Sequence, residues 1–133
     1  MTNAAVYIDV EKPIRDWLRG QSVTGVSSRV YVDLPTEVTY PAISLELLDG
    51  GIETSEAPIA NALLTFDVWA ATRVAAQDAA WSLVSKIQSL RYAAMGAAVC
   101  QGAQVVLGPV HRPDPDGFER FVIDAVFSMR TAT

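Results

Sequence analysis

The feature that most constrains this chain is a strand-like alternation that runs directly into a helix-like spacing. Alternate residues of "NALLTFDVWA" (residues 61–70) fall into two sets, Ala62, Leu64, Phe66 and Val68 on one side and Leu63, Thr65, Asp67 and Trp69 on the other. This period of two predicts a β-strand with one buried face. Apolar residues recur at helical spacing over residues 73–92, and Thr72 is a residue type that caps helices. The junction contains no Gly-rich turn, so we predict a scaffold there and not a phosphate-binding loop.

The predicted helix has two unlike sides. Its main apolar stripe, which we expect to pack on the sheet, consists of Ala76, Ala80, Leu83, Val84, Ile87 and Leu90. Val74 and Trp81 lie on the opposite side, among polar residues. Trp81 is either a partly exposed or loop-covered side chain, or an anchor of a subunit interface, since aromatic residues anchor such interfaces. The sequence leaves both interpretations open.

The remaining segments complete an α+β pattern. We predict a first helix within residues 6–20, ending at Gly20. Pro13 is tolerated there if Asp9 caps the helix and Pro13 lies in its first turn, and otherwise the helix is kinked at Pro13. Further strands are expected at residues 29–35, 40–48, 99–107 and 118–130. On one face the fourth strand should place Val99, Gln101, Ala103, Val105 and Leu107, and the last strand Phe121, Ile123, Ala125, Phe127 and Met129. The predicted fold is a mostly antiparallel sheet with two helices packed on one face, in a single domain spanning residues 1–133.

The charge distribution excludes a strongly basic nucleic-acid groove. The net charge is −5, and no basic residue occurs between Arg29 and Arg73. That interval contains seven acidic residues: Asp33, Glu37, Glu46, Asp49, Glu53, Glu56 and Asp67. They form either a solvated acidic face or an acidic lining that repels DNA and lets it slide.

Three sets of residues could carry chemistry, and the first is a group of carboxylates. Glu46, Asp67 and Asp124 each stand alone on the outward face of a different predicted strand. Converging carboxylates can do acid–base work or bind a divalent cation. Like charges directly opposite one another destabilise a sheet, however, so we expect the three to be staggered.

The other two sets share the only histidine. His111, Asp114 and Asp116 could bind a metal, but Asp-Pro and Asp-Gly are already explained as turn residues. Cys100 could act as a nucleophile only with His111 as its base, and no local motif supports that pair. No phosphate loop, dinucleotide fingerprint, nucleophile elbow or zinc spacing occurs. We therefore predict no catalytic residue, no metal and no cofactor.

Nothing in the sequence predicts a membrane span or a secretory signal. The longest uncharged run, residues 92–110, contains Gly96 and Gly102. The N-terminus has no basic region, and a lone Cys100 fits synthesis in a reducing cytoplasm.

Taken together, these segments are similar to one known family. A leading helix is followed by "YPAISLELLDGG", then by "LLTFDVWAATRVAAQDAAWSLVSKIQSLR", then by a closing strand "DGFERFVIDAVFSMR". This pattern, which covers residues 6–130, resembles the tail terminator (tail-completion) proteins of long-tailed bacteriophages. The resemblance implies a non-enzymatic virion protein with a fold like that of tail-tube subunits. Such a protein forms a hexameric ring at the head-proximal end of the tail tube.

The resemblance also implies partners. These are other copies of the chain, the tail tube protein and a head-completion protein of the neck, while DNA passes through the lumen without sequence-specific binding. Subunit contacts are then expected at Val74, Trp81 and the loop after Gly50, with Ile52, Glu53 and Thr54, and the acidic lumen lining at Glu46, Asp67 and Asp124. Three alternatives stay open: another neck adaptor or minor tail protein, a small metal-dependent hydrolase using Asp67, Asp124 and His111, and a regulatory ligand-binding domain.

Overall fold

The computed structural model describes residues 10–49, 59–96 and 98–131, which form two helices and one six-stranded sheet. The helices are α1 (Glu11–Arg19) and α2 (Arg73–Ser89). The strands are β1 (Val30–Tyr31), β2 (Ala42–Asp49), β3 (Ile59–Ala70), β4 (Ala93–Met95), β5 (Ala98–His111) and β6 (Glu119–Thr131). This arrangement confirms the predicted α+β fold class.

The sheet has the strand order β1-β2-β3-β6-β5-β4. Every neighbouring pair is antiparallel except β1 and β2, which are parallel. The central pair, β3 and β6, keeps its register without a break from Ile59 opposite Arg130 to Ala70 opposite Glu119. The sheet is therefore built around two strands that lie far apart in the sequence.

Both helices pack against the sheet and leave its other face outward. Helix α2 lies on β3, β5 and β6, while α1 contacts β1 and β2 at one edge and β4 at the other. A helix that touches both edges requires the sheet to curl around it. The core side of β3 and β6 consists of the predicted residues, Ala62, Leu64, Phe66, Val68, Phe121, Ile123, Ala125, Phe127 and Met129, all buried.

Helix α2 follows the sequence prediction closely. Thr72 is its N-cap, and the Thr72 hydroxyl accepts a hydrogen bond from the Ala75 amide at 3.2 Å. All six residues of the predicted stripe are buried, and Val74 and Trp81 are exposed on the opposite side. The strand-to-helix junction is thus a capped connection, as expected from the Ala-Ala-Thr sequence.

Helix α1 is shorter than predicted. It begins after Val10, which is the N-cap and makes no side-chain cap hydrogen bond, so of the two possibilities for this helix the one with Asp9 as the cap is wrong. Pro13 lies in the first turn, where its missing amide is tolerated. Ile14 and Leu18 are buried against the sheet. Residues 1–9 lie outside the described part of the chain.

The strands at the two sides of the sheet differ most from prediction. The strand expected at residues 29–35 is limited to Val30–Tyr31, and β4 was not predicted at all. Strand β5 is longer than expected and has register irregularities after Cys100, Val105 and Leu107. Each irregularity changes which face the following residues present. The prediction that Val99, Gln101, Ala103, Val105 and Leu107 share one face is consequently wrong. Ala103 and Val105 lie opposite the core-side residues Phe127 and Ala125, whereas Val99 lies opposite Arg130 and Leu107 opposite Asp124.

Gly108 of β5 occupies a position that only glycine fits. Its φ is +97°, and an added Cβ would lie 2.3 Å from the Val122 carbonyl oxygen. We expect Gly108→Ala to lower the free energy of unfolding by about 3 kcal/mol or more, because left-handed strain adds to a backbone clash. Gly102→Ala on the same strand is the matched control, since a Cβ there meets nothing within 4 Å. Urea unfolding followed by circular dichroism measures both, and equal losses would contradict this explanation.

Candidate functional site

The outward face of the sheet brings together the three carboxylates that the sequence identified. Glu46 of β2 and Asp124 of β6 both lie opposite Thr65 of β3, one on each side. Asp67 lies two residues further along β3, opposite Ser44 and Val122. No two of the three carboxylates are directly opposite, so the expected staggering is confirmed. We call Glu46, Asp67 and Asp124 the acidic face.

Within the acidic face, Asp67 is the residue whose pKa is shifted. Burial is the largest effect, and it raises the pKa of Asp67 from its usual value of 3.8. The Arg120 guanidinium works against that increase, while the negative charges of Glu46 and Asp124 add to it. The pKa of Asp67 is raised overall, so its environment opposes ionisation.

Asp124 has a buried oxygen on the same face. Its Oδ1 atom is buried, and the described residues give it no hydrogen-bond partner. The described residues also contain no group of three or more His, Cys, Asp or Glu that could hold a metal ion. The acidic face therefore provides negative charge without a closed ligand cage.

A cationic and aromatic group borders the acidic face, and sequence inspection missed it. The Arg120 guanidinium lies over the Trp69 ring at 5.1 Å, and Arg120 Nε donates to the Arg112 carbonyl oxygen at 3.1 Å. Trp69 Nε1 donates in turn to the Ser44 hydroxyl at 3.2 Å. Arg120 and Trp69 are partners in the β3–β6 register. Only knowledge of that strand pairing could have revealed this group, because the two residues are far apart in sequence.

The fold does not bring together the three residues that the hydrolase alternative requires. His111 lies opposite Phe121, a core-side residue, and its ring contacts the Phe121 ring at 5.0 Å between centroids. Its Nε2 is 2.5 Å from Glu119 Oε2. Asp67 and Asp124 are on the other face of the sheet, so the structure does not bring these three residues together.

The remaining chemical candidates have structural explanations. Asp114 closes the β5–β6 turn, where its Oδ1 accepts from the Asp116 amide at 3.1 Å and its carbonyl accepts from the Gly117 amide. Cys100 is buried, and its Sγ donates to the Gly102 carbonyl oxygen at 3.3 Å. Burial raises the pKa of the Cys100 thiol, which is the opposite of what a nucleophile needs. His111 is at the far end of the same strand and cannot serve as its base.

The exposed side of α2 is a second surface with apolar side chains that do not pack in the core. Val74 is 70% exposed and Trp81 is 55% exposed, and we call these two residues the helix patch. The segment before β1 is tied to the same helix, since the Thr24 amide donates to the Ser82 hydroxyl at 3.0 Å. That segment includes Ser22 and Ser27, both with positive φ. Trp81 is therefore partly exposed, which was one of the possibilities that the sequence left open. Its role in a subunit interface stays a prediction.

Three further predictions concern the loop contacts, a ligand-binding pocket and a membrane span. The predicted contact residues Ile52, Glu53 and Thr54 lie outside the described residues. A regulatory ligand-binding domain would need a buried pocket, whereas the depression formed by the described outward face is open and is lined by Asn61, Gly102, Ala103, Gln104, Val126 and Ser128. Neither described helix is long and apolar enough to cross a membrane.

Comparison with solved structures identifies a chain with a similar fold. The chain is similar to a chain from the virion of a native gene transfer agent (GTA) particle, with a TM-score of 0.51 and 18% sequence identity over 79% of each chain. At this level of identity, the structural similarity shows a shared fold and nothing more specific. Comparison of the sequence with protein-family models and with curated proteins gives no match.

The raised pKa of Asp67 predicts a pH-dependent effect of removing its charge. A carboxyl group with a higher pKa in the folded chain than in the unfolded chain stabilises the fold most below pH 3.8, and this contribution is lost as pH rises through the raised value. We therefore expect Asp67→Asn to become more stable relative to the unsubstituted chain over that interval and to level off above it. Urea unfolding at a series of pH values measures the difference. Asp78→Asn, on the solvent side of α2, controls for general loss of negative charge, and a pH-independent difference for Asp67→Asn would contradict the prediction.

Proposed function

We propose that this chain is a structural protein of a phage virion that forms a hexameric ring at the head-proximal end of the tail tube. In this role it ends tube polymerisation and joins the tail to the head-completion protein of the neck. The observation that carries the proposal is the fold shared with a chain of a virion particle. The resemblance of the sequence to tail terminator proteins agrees with that fold and supplies the more specific role.

The acidic face suits a ring through which DNA passes. Glu46, Asp67 and Asp124 lie on one side of the sheet, away from both helices. A lumen lined by negative charge repels the phosphate backbone, so DNA slides through without binding. The same face would be a poor nucleic-acid-binding surface, because strong binding needs clustered Lys and Arg.

The helix patch suits a contact between unlike surfaces. Val74 and Trp81 lie on the exposed side of α2, opposite in the fold to the outward face of the sheet. A contact that joins two different surfaces of identical subunits gives a ring whenever the rotation per subunit closes. Exposed aromatic side chains are frequent anchors of such contacts. In this proposal the helix patch contacts another virion subunit.

The nearest alternative role is that of a neck adaptor or another minor tail protein. It uses the same fold and the same kind of surfaces, and the position of the gene relative to that of the major tail protein separates the two roles. The enzyme alternative has no support in the geometry, since His111 is separated from Asp67 and Asp124 by the sheet.

Electron microscopy of the purified full chain, alone and mixed with assembled tail tubes, tests the ring. We expect six-fold rings in solution or a cap at one end of the tubes, and native mass spectrometry gives the number of subunits. A chain that stays monomeric at high concentration and never associates with tubes would rule the proposal out.

Substitution in the helix patch tests its part in assembly. We expect Trp81→Ser to weaken ring formation or tube capping about tenfold or more while leaving the fold intact, because the exposed indole contributes to contacts and not to the core. Tyr92→Ser is the matched control, because it removes a similarly exposed aromatic ring that lies beyond the end of α2 and outside the helix patch. Sedimentation velocity measures assembly, and circular dichroism measures folding. If both variants assemble as the unsubstituted chain does, the helix patch is not a subunit contact.

A further inference from the structure

The hairpin formed by β5 and β6 places two arginines directly opposite each other. The Arg112 amide donates to the Arg120 carbonyl oxygen at 2.8 Å, and Arg120 Nε donates to the Arg112 carbonyl oxygen at 3.1 Å. Arg112 thus continues the register in which His111 lies opposite Phe121. Because Phe121 is a buried core-side residue and neighbouring residues of a strand alternate, both arginines lie on the outward face. We call Arg112 and Arg120 the arginine pair.

The arginine pair is a charge arrangement that does not stabilise a hairpin. Like charges directly opposite one another on neighbouring strands are destabilising. The described residues form no ion pair with either guanidinium, although Asp114 and Asp116 follow in the same hairpin. Asp114 Oδ1 instead accepts a hydrogen bond from the Asp116 amide within the turn. Among the described residues, no carboxylate contact therefore relieves the repulsion between the two cations.

Asp67 of the acidic face is a carboxyl group that both arginines influence. Burial raises the pKa of Asp67, and the Arg120 and Arg112 guanidiniums only partly offset that increase. Asp67 therefore lies close to the arginine pair without neutralising it. The outward face thus carries the acidic face and, at the hairpin end of the sheet, an adjacent site of opposite charge.

Arg120 is held in an orientation that suits an anionic ligand. Its guanidinium lies over the Trp69 ring at 5.1 Å, while its Nε is bound to the Arg112 carbonyl oxygen. Its terminal N–H groups make no hydrogen bond to the described residues, and such groups bind a carboxylate in a bidentate manner. The Arg112 side chain is exposed beside it. Since opposite residues of an antiparallel pair have Cβ atoms about 5 Å apart, one carboxylate can contact both guanidiniums.

The surroundings of the arginine pair favour a protein over DNA as the source of that anion. In the same hairpin the Phe118 ring stacks on the Tyr40 ring, with centroids 4.5 Å apart. Arginine and aromatic side chains together are typical of protein–protein interfaces. Duplex DNA is a wide, continuous polyanion, so it would meet the carboxylates of the acidic face as well as the arginines. A single acidic side chain can reach the arginine pair alone.

We propose that the arginine pair, Arg112 and Arg120, binds an acidic segment of a partner protein through a carboxylate that contacts both guanidiniums. The proposal rests on the ring stated above, because it takes the partner to be a virion protein that adjoins that ring. The outward face then has two tasks: the acidic face repels DNA, and the arginine pair at its end holds a neighbouring protein.

Binding of a labelled hexaglutamate peptide to the full chain, followed by fluorescence anisotropy, tests the site. We expect Arg112→Gln and Arg120→Gln each to raise the Kd about tenfold or more, because each removes charge-assisted hydrogen bonds to the carboxylate. Arg91→Gln removes the same charge at an exposed position outside the arginine pair and should bind as the unsubstituted chain does. Peptide binding that both substitutions leave unchanged overturns the proposal and leaves the ring standing.

Urea unfolding distinguishes a binding site from a structural role. We expect Arg112→Gln to unfold at the same or a higher urea concentration than the unsubstituted chain, since it removes one of two opposed like charges. Hexaglutamate should raise the urea midpoint of the unsubstituted chain and not that of Arg112→Gln. An Arg112→Gln chain that unfolds at a lower urea concentration would show that the arginine pair supports the fold, which overturns the proposal.

Two further measurements separate the other possible occupants. A labelled duplex DNA oligonucleotide that binds through the arginine pair more tightly than hexaglutamate does would make the site a nucleic-acid contact and overturn the proposal. Rings that are lost in Arg112→Gln would place the acidic segment on a second copy of the chain, which also overturns it. A chain that binds hexaglutamate through the arginine pair but never assembles overturns the ring and leaves the acidic-segment site standing.

Discussion

The pairing of β3 with β6 is the interaction on which the rest of the structure depends. It joins the middle of the chain to its end through twelve consecutive partners without a register break. Because the register is unbroken, one set of side chains on both strands faces the helices and the other set faces outward. Phe66 and Phe127 meet on the core side, with ring centroids 5.9 Å apart. Both helices and both pairs of flanking strands are placed by this central ladder.

The same ladder decides which polar residues meet on the outward face. Thr65 is the residue that separates Glu46 from Asp124, and Trp69 is the residue over which Arg120 lies. A shift of β6 by one residue against β3 would turn Asp124 toward the core, where an unpaired charge is very costly, and Phe127 outward. The electrostatics of the acidic face are thus a consequence of strand register, and the buried side of the sheet enforces that register.

The segments that were predicted well are those whose pattern is set by local burial. The alternation in β3 and β6, the stripe on α2 and the Thr72 cap all follow from side-chain polarity and short-range hydrogen bonding. Strand β5 was predicted less well because its three irregularities change the facing of residues such as Gln101 and Leu107. Gly102 stands at the first irregularity, and Gly108 and Pro109 stand within the third, and these residue types inside a strand are signals of a bulge. The irregularity between Val105 and Leu107 has no such signal in the local sequence.

The sequence by itself determined the fold class, the faces of the central strands and the side of α2 on which Val74 and Trp81 lie. Each of these depends on the pattern of polarity within one element. Only the tertiary structure decided that His111 is separated from Asp67 and Asp124, that Arg120 reaches Trp69, and that the three carboxylates of the acidic face are staggered. These features depend on which strands are neighbours and in what register, and long-range pairing is not encoded in any single segment.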